Sequence, residues 1–214
     1  MKNTSEKEWQ RKIFREEDIL SKKYPTYHTN TLSHHRRIEM VFKEKLPKID
    51  NGLILDMGCS RGFTTHDLSV FYSTSKVIGI DINKEAIDYA ISSGKKGIFL
   101  EGDGYRHNFQ DDFDAIFCMN NLYYNLENRK YSWKESFNHL KNSIKEKGYL
   151  LISGVSGDYE EDFIILKKQN GILTLHDRSN YFKESRLKTI LKLSRNQITI
   201  RSFISNLRRT SARA

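Results

Sequence analysis

Five short apolar runs alternate with polar or helical segments between residues 50 and 155 of the chain. They span residues 53–55, 76–82, 98–103, 113–120 and 148–153. Runs of this length are typical of buried strands, and the helical segments between them are typical of crossover connections. The pattern therefore predicts the α/β class, with a doubly wound, mostly parallel sheet.

An acid ends or directly follows each of the first three runs. These acids are Asp56, Asp81 and Asp103. Open parallel sheets bind their ligands at the carboxyl ends of the strands, so we expect the three carboxylates to lie along one rim. A carboxylate at the end of the second strand can accept hydrogen bonds from both hydroxyls of a ribose. This position makes Asp81 a candidate nucleoside-binding group.

A glycine-bearing loop follows the first run, where Gly58 and Gly62 flank residues 59–61. Glycine permits a tight turn and a close approach of the backbone to a ligand. Taken alone, the loop is open to two interpretations, a ligand-binding loop or a plain structural turn. A nicotinamide dehydrogenase would need G-x-G-x-x-G, whereas three residues separate these two glycines, which disfavours that class.

Four segments in order resemble the motifs of class I S-adenosylmethionine-dependent methyltransferases. They read LDMGCSRG, GIDIN, EGDGYRHNFQDDFDAIFCMNNLYY and KNSIKEKGYLLISG. The resemblance spans residues 50–155 and implies a Rossmann-like methyltransferase fold with S-adenosylmethionine as the cofactor. Ser60 stands where the family often has a further glycine.

The same resemblance implies a set of cofactor-binding residues. Asp81 would bind the ribose, and Asp103 would bind the adenine amino group. The backbone amides of Gly58 and Cys59 would face the methionine part, and Asn120 would face the reaction centre. The full set is Asp56, Gly58, Cys59, Ser60, Gly62, Asp81, Ile82, Asp103, Gly104 and Asn120.

The sequence does not single out a catalytic residue. An oxygen acceptor usually needs a general base, and histidine titrates nearest to neutral pH. The histidines that remain candidates for a general base are His28, His34, His35, His107 and His176. The weak candidates for a catalytic role are His28, which lies in the aromatic N-terminal segment YPTYHTNT, Asn120 and Tyr124.

Residues 120–123 are similar to motifs of two branches of the family. They have the asparagine and tyrosine of the N-P-P-Y motif found in enzymes that methylate exocyclic amino groups of bases or glutamine, without its prolines. They also resemble the small-molecule branch, in which strand four leads into an aromatic stretch and a helix. Trp133, Phe137, Leu140 and Ile144 have the spacing of one helix face, which favours the second likeness.

Most of the net charge of +9 lies near the end of the chain. Residues 183–214 contain nine basic residues and one acid, a net charge of +8. Such a segment attracts phosphate groups, in nucleic acid for example, or forms the solvated face of an amphipathic helix. Both interpretations stay open, and we favour the second for the helix.

Length and composition predict one domain of residues 1–214, since the chain suffices for one sizeable core. Its expected parts are an N-terminal helical cap (1–48), a cofactor-binding core (49–155), a short antiparallel C-terminal edge with a helix (156–206) and a disordered tail (207–214). Strands are expected at 173–176 and 198–203 in that edge. The oligomeric state is left open.

The remaining features predict a cytoplasmic protein without a membrane partner or a metal. No apolar run reaches the roughly 20 residues of a membrane helix, and the start MKNTSEKEW has no signal-peptide core. Cys59 and Cys118 form no C-x-x-C pair, which predicts buried free thiols.

We therefore predict S-adenosylmethionine-dependent methyl transfer to an oxygen or nitrogen of a small-molecule acceptor. Two alternatives are carried forward. One is a methyltransferase acting on RNA or another nucleic acid, and the other is a cofactor-binding module without catalysis.

Overall fold

The computed structural model describes residue 38, residues 42–109, 112–119, 133–153 and 163–179, and residue 191. The chain divides into two compact units, residues 1–104 and residues 105–214. The described strands are β1 (Leu53–Met57), β2 (Lys76–Asp81), β3 (Ile98–Glu101), β4 (Phe113–Met119), β5 (Ile144–Ser153), β6 (Phe163–Gln169) and β7 (Ile172–Arg178). The described helices are a 3₁₀ turn (Lys43–Lys45), α1 (Phe63–Phe71), α2 (Lys84–Ser92) and α3 (Trp133–Asn142).

The first unit is a parallel sheet in the order β3-β2-β1, connected by α1 and α2. Asp56 of β1 lies opposite Gly79 of β2, and Asp81 of β2 lies opposite Glu101 of β3. Helix α2 begins where the side chain of Asn83 accepts hydrogen bonds from two backbone amides of the first turn, at 3.0 and 3.4 Å. This cap satisfies N–H groups that have no partner within the helix.

Two buried side chains of α1 hold the segment that precedes β1. The Asp67 carboxylate accepts a hydrogen bond from the backbone N–H of Ile38 at 3.1 Å, and the Tyr72 hydroxyl donates to the carbonyl of Pro47 at 3.0 Å. Ile38 and Phe42 are fully buried, as expected if both lie on the apolar face of a helix. Most of the N-terminal helical cap predicted for residues 1–48 lies outside the described residues.

The second unit contains β4 parallel to β5, followed by β6 and β7 as antiparallel edge strands. The predicted fold class, mostly parallel strands with an antiparallel C-terminal edge, is confirmed. The composition of that edge differs from the expectation, because β6 was not predicted and precedes the strand expected at residues 173–176. The strand expected at residues 198–203 lies outside the described residues.

Strand β5 begins at Ile144 rather than at Gly148, so the assignment of Ile144 to a helix face was wrong. Helix α3 ends at Asn142, and Ile144 pairs with Phe113 of β4 across a register irregularity. Lys147 has a positive φ of 69° inside the strand, where the chain adjusts its register. Cross-strand pairing outweighs the helical spacing of the side chain, because it gives the backbone its hydrogen-bond partners.

Each unit buries apolar side chains of its own elements. Phe137 and Leu140 of α3 are buried, as their helical spacing predicted. Cys118 is buried with a free thiol, as predicted. Among the helices described, none is both long and apolar enough to cross a membrane.

Candidate active site

The loop at residues 58–62 makes a tight turn at the carboxyl end of β1. The N–H groups of Gly58 and Cys59 both donate to the carbonyl of Ile80, at 2.8 and 3.1 Å, and the N–H of Gly62 donates to the carbonyl of Cys59 at 2.9 Å. The assignment of the Gly58 and Cys59 amides to the methionine part stays a prediction. These amides fasten the loop to β2, because Ile80 at the strand end supplies an accessible carbonyl.

Three residues of the loop have positive φ values: 69° at Gly58, 46° at Ser60 and 75° at Gly62. Gly62 also precedes the first residue of α1 and packs closely against other elements. A Cβ at this position would lie 2.5 Å from the ring of Phe99 and 2.8 Å from Cβ of Ala90. Both the backbone conformation and the close packing therefore require glycine at Gly62.

Asp81 connects the glycine loop to the start of α2. One carboxylate oxygen accepts the N–H of Ser60 at 2.8 Å, and the other accepts the N–H of Asn83 at 2.8 Å. Burial raises the pKa of the Asp81 carboxyl, and hydrogen bonds from the backbone N–H groups of Asn83, Ser60 and Ile82 counteract that rise. Each carboxylate oxygen can accept a second hydrogen bond. Asp81 therefore retains acceptor capacity for a ligand hydroxyl while it holds the loop.

Asp103 and Gly104 follow β3 beside the end of β2. The N–H of Gly102 donates to the carbonyl of Asp81 at 2.8 Å, which ties the two strand ends together. A Cβ on Gly104 would collide with the sulfur of Met57 and lie 3.0 Å from a methyl of Ile80. Hence Gly104 packs directly on β1 and β2, at the same end of the sheet as the loop.

Asp56 lies beneath the loop with 1% of its surface exposed. One of its carboxylate oxygens accepts a hydrogen bond from the hydroxyl of Thr65 at 2.7 Å. Thr65, in the first turn of α1, is a residue that the sequence analysis missed. Its only signal in the sequence is a small hydroxyl side chain three residues after Gly62.

Cys59 is a packed thiol in the middle of this cluster. Burial raises the pKa of the Cys59 thiol well above its ordinary value, and the charges of Asp56 and Asp81 raise it further. A hydrogen bond with the Thr65 side chain acts in the opposite direction. The thiolate, not the thiol, is the nucleophile, so the raised pKa favours the less reactive protonated form of Cys59.

Cations and aromatic rings hold the outer side of the loop against α2. The guanidinium of Arg61 lies 5.3 Å from the ring centre of Tyr89. The ammonium of Lys95 lies 4.6 Å from the same ring and 4.2 Å from that of Phe63. Partial burial lowers the pKa of Lys95, and the nearby charge of Arg61 lowers it further. The contacts stabilise the loop from the side opposite the strand ends.

The candidates for catalysis fall mostly outside the described residues. His28, His34, His35, Asn120 and Tyr124 all belong to that group. Of the remaining histidines, His107 stacks near Phe109 at 4.6 Å, and His176 meets the ring of Tyr149 edge-on at 5.3 Å. Aromatic packing accounts for both rings, so neither contact adds support for a general base.

Comparisons with known proteins agree with this geometry. Residues 54–148 match the family model described as a methyltransferase domain. The chain is similar to the structure of an S-adenosylmethionine-dependent methyltransferase from Clostridium acetobutylicum, with 16% identity over 85% of this chain and 87% of that chain and a TM-score of 0.50. No curated protein matches the chain at a significant level.

Two further solved structures resemble the chain. One is a TehB-like methyltransferase from Corynebacterium glutamicum, with 18% identity, coverage of 67% of this chain and 71% of that chain, and a TM-score of 0.47. The other is the plantazolicin methyltransferase BamL in complex with a triazolic desmethylPZN analogue and S-adenosylhomocysteine, with 20% identity, coverage of 64% of this chain and 51% of that chain, and a TM-score of 0.48. The family match over residues 54–148, the strand order of the first unit and the glycine loop bonded to the acid at the end of β2 all agree with the fold of class I S-adenosylmethionine-dependent methyltransferases.

Proposed function

We propose that the enzyme transfers the methyl group of S-adenosylmethionine to an oxygen or nitrogen of a small-molecule acceptor. In this proposal the ribose hydroxyls bind Asp81, and the adenine amino group binds Asp103 with Gly104 beside it. The methionine end lies over the loop at residues 58–62. Asn120 faces the reaction centre and lies outside the described residues.

The residues of the first unit fit this cofactor chemically. Carboxylates are acceptors for hydroxyl, amino and ammonium groups, which are the donors that S-adenosylmethionine carries. Both oxygens of Asp81 are already oriented by backbone N–H groups at 2.8 Å, so they need little reorganisation on binding. This orientation of Asp81 by the loop is the observation that carries the proposal.

When bound, the cofactor supplies a methyl group on a sulfonium, which transfers by in-line displacement. The contribution of the chain is to hold donor and acceptor in line, at a near-attack distance, and to keep water away. The raised pKa of Cys59 keeps this loop thiol mainly protonated, which is its less nucleophilic form.

The preference for a small acceptor rests on charge. Residues 1–182 carry nearly balanced charge, since residues 183–214 account for +8 of the total +9. The proposed binding edge of the first unit carries the acids Asp81 and Asp103. Apart from the basic segment, the chain therefore has little net positive charge to attract a polyanion.

A nucleic-acid acceptor is the second candidate, because the basic segment at residues 183–214 provides a site for phosphate groups. That segment lies almost entirely outside the described residues. We give it second place because the rest of the chain is close to neutral.

Transfer of a labelled methyl group tests the acceptor class. The purified enzyme is incubated with radiolabelled S-adenosylmethionine and, separately, with small-molecule extract, total RNA or protein, and each fraction is counted. We expect label in the small-molecule fraction. Label in RNA would favour the second candidate, and bound cofactor without transfer to any fraction would favour a module without catalysis.

A further inference from the structure

Thr65 occupies a buried position beneath the glycine loop, between Asp56 and Cys59. It is fully buried, and its hydroxyl donates to the Asp56 carboxylate at 2.7 Å. Two glycines leave space for it. A Cβ on Gly79 would collide with the Thr65 hydroxyl, and a Cβ on Gly97 would lie 2.6 Å from the Thr65 methyl.

The hydrogen bond determines how Asp56 is oriented. A side chain with 1% exposure exchanges few hydrogen bonds with solvent, so a donor within the protein stabilises its ionised form. With one oxygen held by the Thr65 hydroxyl, the plane of the carboxylate and the direction of its other oxygen are restricted. Loss of the hydroxyl would remove a hydrogen bond from a buried acceptor.

The order of the strands assigns Asp56 to the methionine end of the cofactor. The acids at the ends of β3, β2 and β1 follow one another across the parallel sheet as Asp103, Asp81 and Asp56. Adjacent strands lie about 4.8 Å apart, a spacing comparable with the lengths of the three parts of S-adenosylmethionine. If adenine lies at the first acid and ribose at the second, the ammonium of the methionine part lies nearest to the third.

We propose that Thr65 is a positioning residue for S-adenosylmethionine, which acts through Asp56 on the methionine end of the cofactor. The inference rests on the proposed orientation of the cofactor. Thr65 keeps the carboxylate directed towards the ammonium, while Asp81 binds the ribose independently of it.

Two ligands that differ in the methionine end separate this role from a general structural one. S-adenosylhomocysteine carries the amino acid part, whereas 5′-methylthioadenosine carries the same adenine and ribose without it. Calorimetry on the full chain with Thr65→Val, which removes the hydroxyl and keeps the shape, should show about tenfold weaker binding of S-adenosylhomocysteine. Binding of methylthioadenosine should stay within about twofold of the unaltered protein.

The pH dependence provides a second readout. A carboxylate that accepts fewer hydrogen bonds holds its proton more tightly, so the acid limb of S-adenosylhomocysteine binding should move to higher pH in Thr65→Val. The acid limb of methylthioadenosine binding should not move. Thr65→Ser, which keeps the hydroxyl, should restore both affinity and pH profile.

Ser69→Ala is the matched control. Ser69 lies on the same helix, and its hydroxyl donates to the Thr65 carbonyl at 2.8 Å rather than to Asp56. Its substitution should leave the affinities for both ligands unchanged. Should Thr65→Val fail to fold, the comparison of Thr65→Ala with Thr65→Ser isolates the hydroxyl, because both lack the methyl.

Each outcome of the binding experiments either supports or overturns the proposed role of Thr65. Equal weakening of both ligands, or unchanged binding of both, would overturn the role of Thr65 and leave the proposed function standing. An unaltered protein that binds neither ligand would instead contradict the proposed function. Selective weakening of S-adenosylhomocysteine, reversed by Thr65→Ser, would support the proposal.

Discussion

Single residues at the end of β2 combine a structural role with the proposed binding role. Asp81 accepts N–H groups from the glycine loop and from the start of α2, and burial raises its pKa. Ile82, the next residue, is 37% exposed beside it. Substitutions of Asp81 therefore test the local structure and the cofactor site together.

We expect Asp81→Ala to weaken binding of S-adenosylhomocysteine by about 2–4 kcal/mol, the value of two charge-assisted hydrogen bonds. Asp81→Asn should fall between Asp81→Ala and the unaltered protein, because its amide oxygen still accepts one bond. Calorimetry provides the affinity, and circular dichroism confirms that each variant is folded. Unchanged affinity in a folded variant would remove Asp81 from the site.

The raised pKa of Asp81 predicts opposite effects of acid on binding and on stability. The folded chain holds this proton more tightly than the unfolded chain, so the contribution of Asp81 to stability is complete at low pH and is lost as pH rises through the folded pKa. Ligand binding needs the ionised form, so affinity should fall on acidification, starting above the ordinary range of an aspartate. Paired titrations of the unaltered protein and Asp81→Asn measure both effects. Affinity and stability that change with pH in the same direction would contradict the prediction.

A second prediction at this scale concerns Gly62. Gly62→Ala adds a side chain at φ 75° and against the ring of Phe99, which should destabilise the fold by about 3 kcal/mol. Gly94→Ala is the matched control, since Gly94 has φ 68° and no atom within 4 Å of the added carbon, so strain alone should cost about 1 kcal/mol. Urea unfolding measures both. Equal losses would show that the packing around Gly62 relaxes easily.

At the scale of elements, the hairpin of β6 and β7 shows what the sequence analysis overlooked. Asn170 and Gly171 both have positive φ values, 52° and 72°, as two-residue hairpin turns require. The apolar run at the start of β6 and the Asn-Gly pair after it were a sufficient signal for this hairpin. The turn is also held from outside, because the carboxylate of Glu146 on β5 accepts the N–H groups of both turn residues.

We expect Glu146→Ala to destabilise the second unit by about 1 kcal/mol, because two turn amides lose a charged acceptor at an exposed position. Hydrogen exchange at the amides of Asn170 and Gly171 should accelerate, and urea unfolding should show the loss. Lys145→Ala is the control, since Lys145 pairs with Asp114 at 2.9 Å and does not contact the turn. Exchange rates that respond equally to both substitutions would contradict a specific role of Glu146.

At the scale of the whole molecule, charge distribution separates the two acceptor classes. The basic segment at residues 183–214 accounts for most of the net charge. An enzyme that contacts six or more phosphates loses affinity by orders of magnitude between about 50 and 200 mM salt, whereas a solvated surface charge contributes little once screened. Salt dependence therefore tests the segment without knowledge of the acceptor.

We expect the triple substitution of Arg208, Arg209 and Arg213 by serine to leave turnover on the true acceptor within about threefold, which is under 1 kcal/mol. RNA binding by the unaltered protein should be weak at 150 mM salt, as measured by filter binding. Substitution of Lys84, which pairs with Asp88 on α2, is a control for the loss of one surface charge outside the basic segment. Tight, salt-sensitive RNA binding that disappears in the triple variant would replace the small-molecule proposal.

Three features could be predicted from the amino-acid sequence alone. They are the order of the apolar runs that form the parallel strands, the position of the glycine loop, and the acids Asp56, Asp81 and Asp103. These are local features, since apolar period, turn residues and chain order need no partner elsewhere in the chain. The domain boundaries and the cofactor-binding set stay predictions.

The hydrogen-bond partners within the site became known from the folded structure and not from the sequence. The Gly58 and Cys59 amides donate to Ile80, and Thr65 donates to Asp56, from residues that are distant in sequence or carry no motif. The start of β5 at Ile144 was likewise set by pairing with β4 against a helical side-chain pattern. Such choices depend on which buried donors and acceptors meet after the strands assemble, and a one-dimensional pattern does not contain that information.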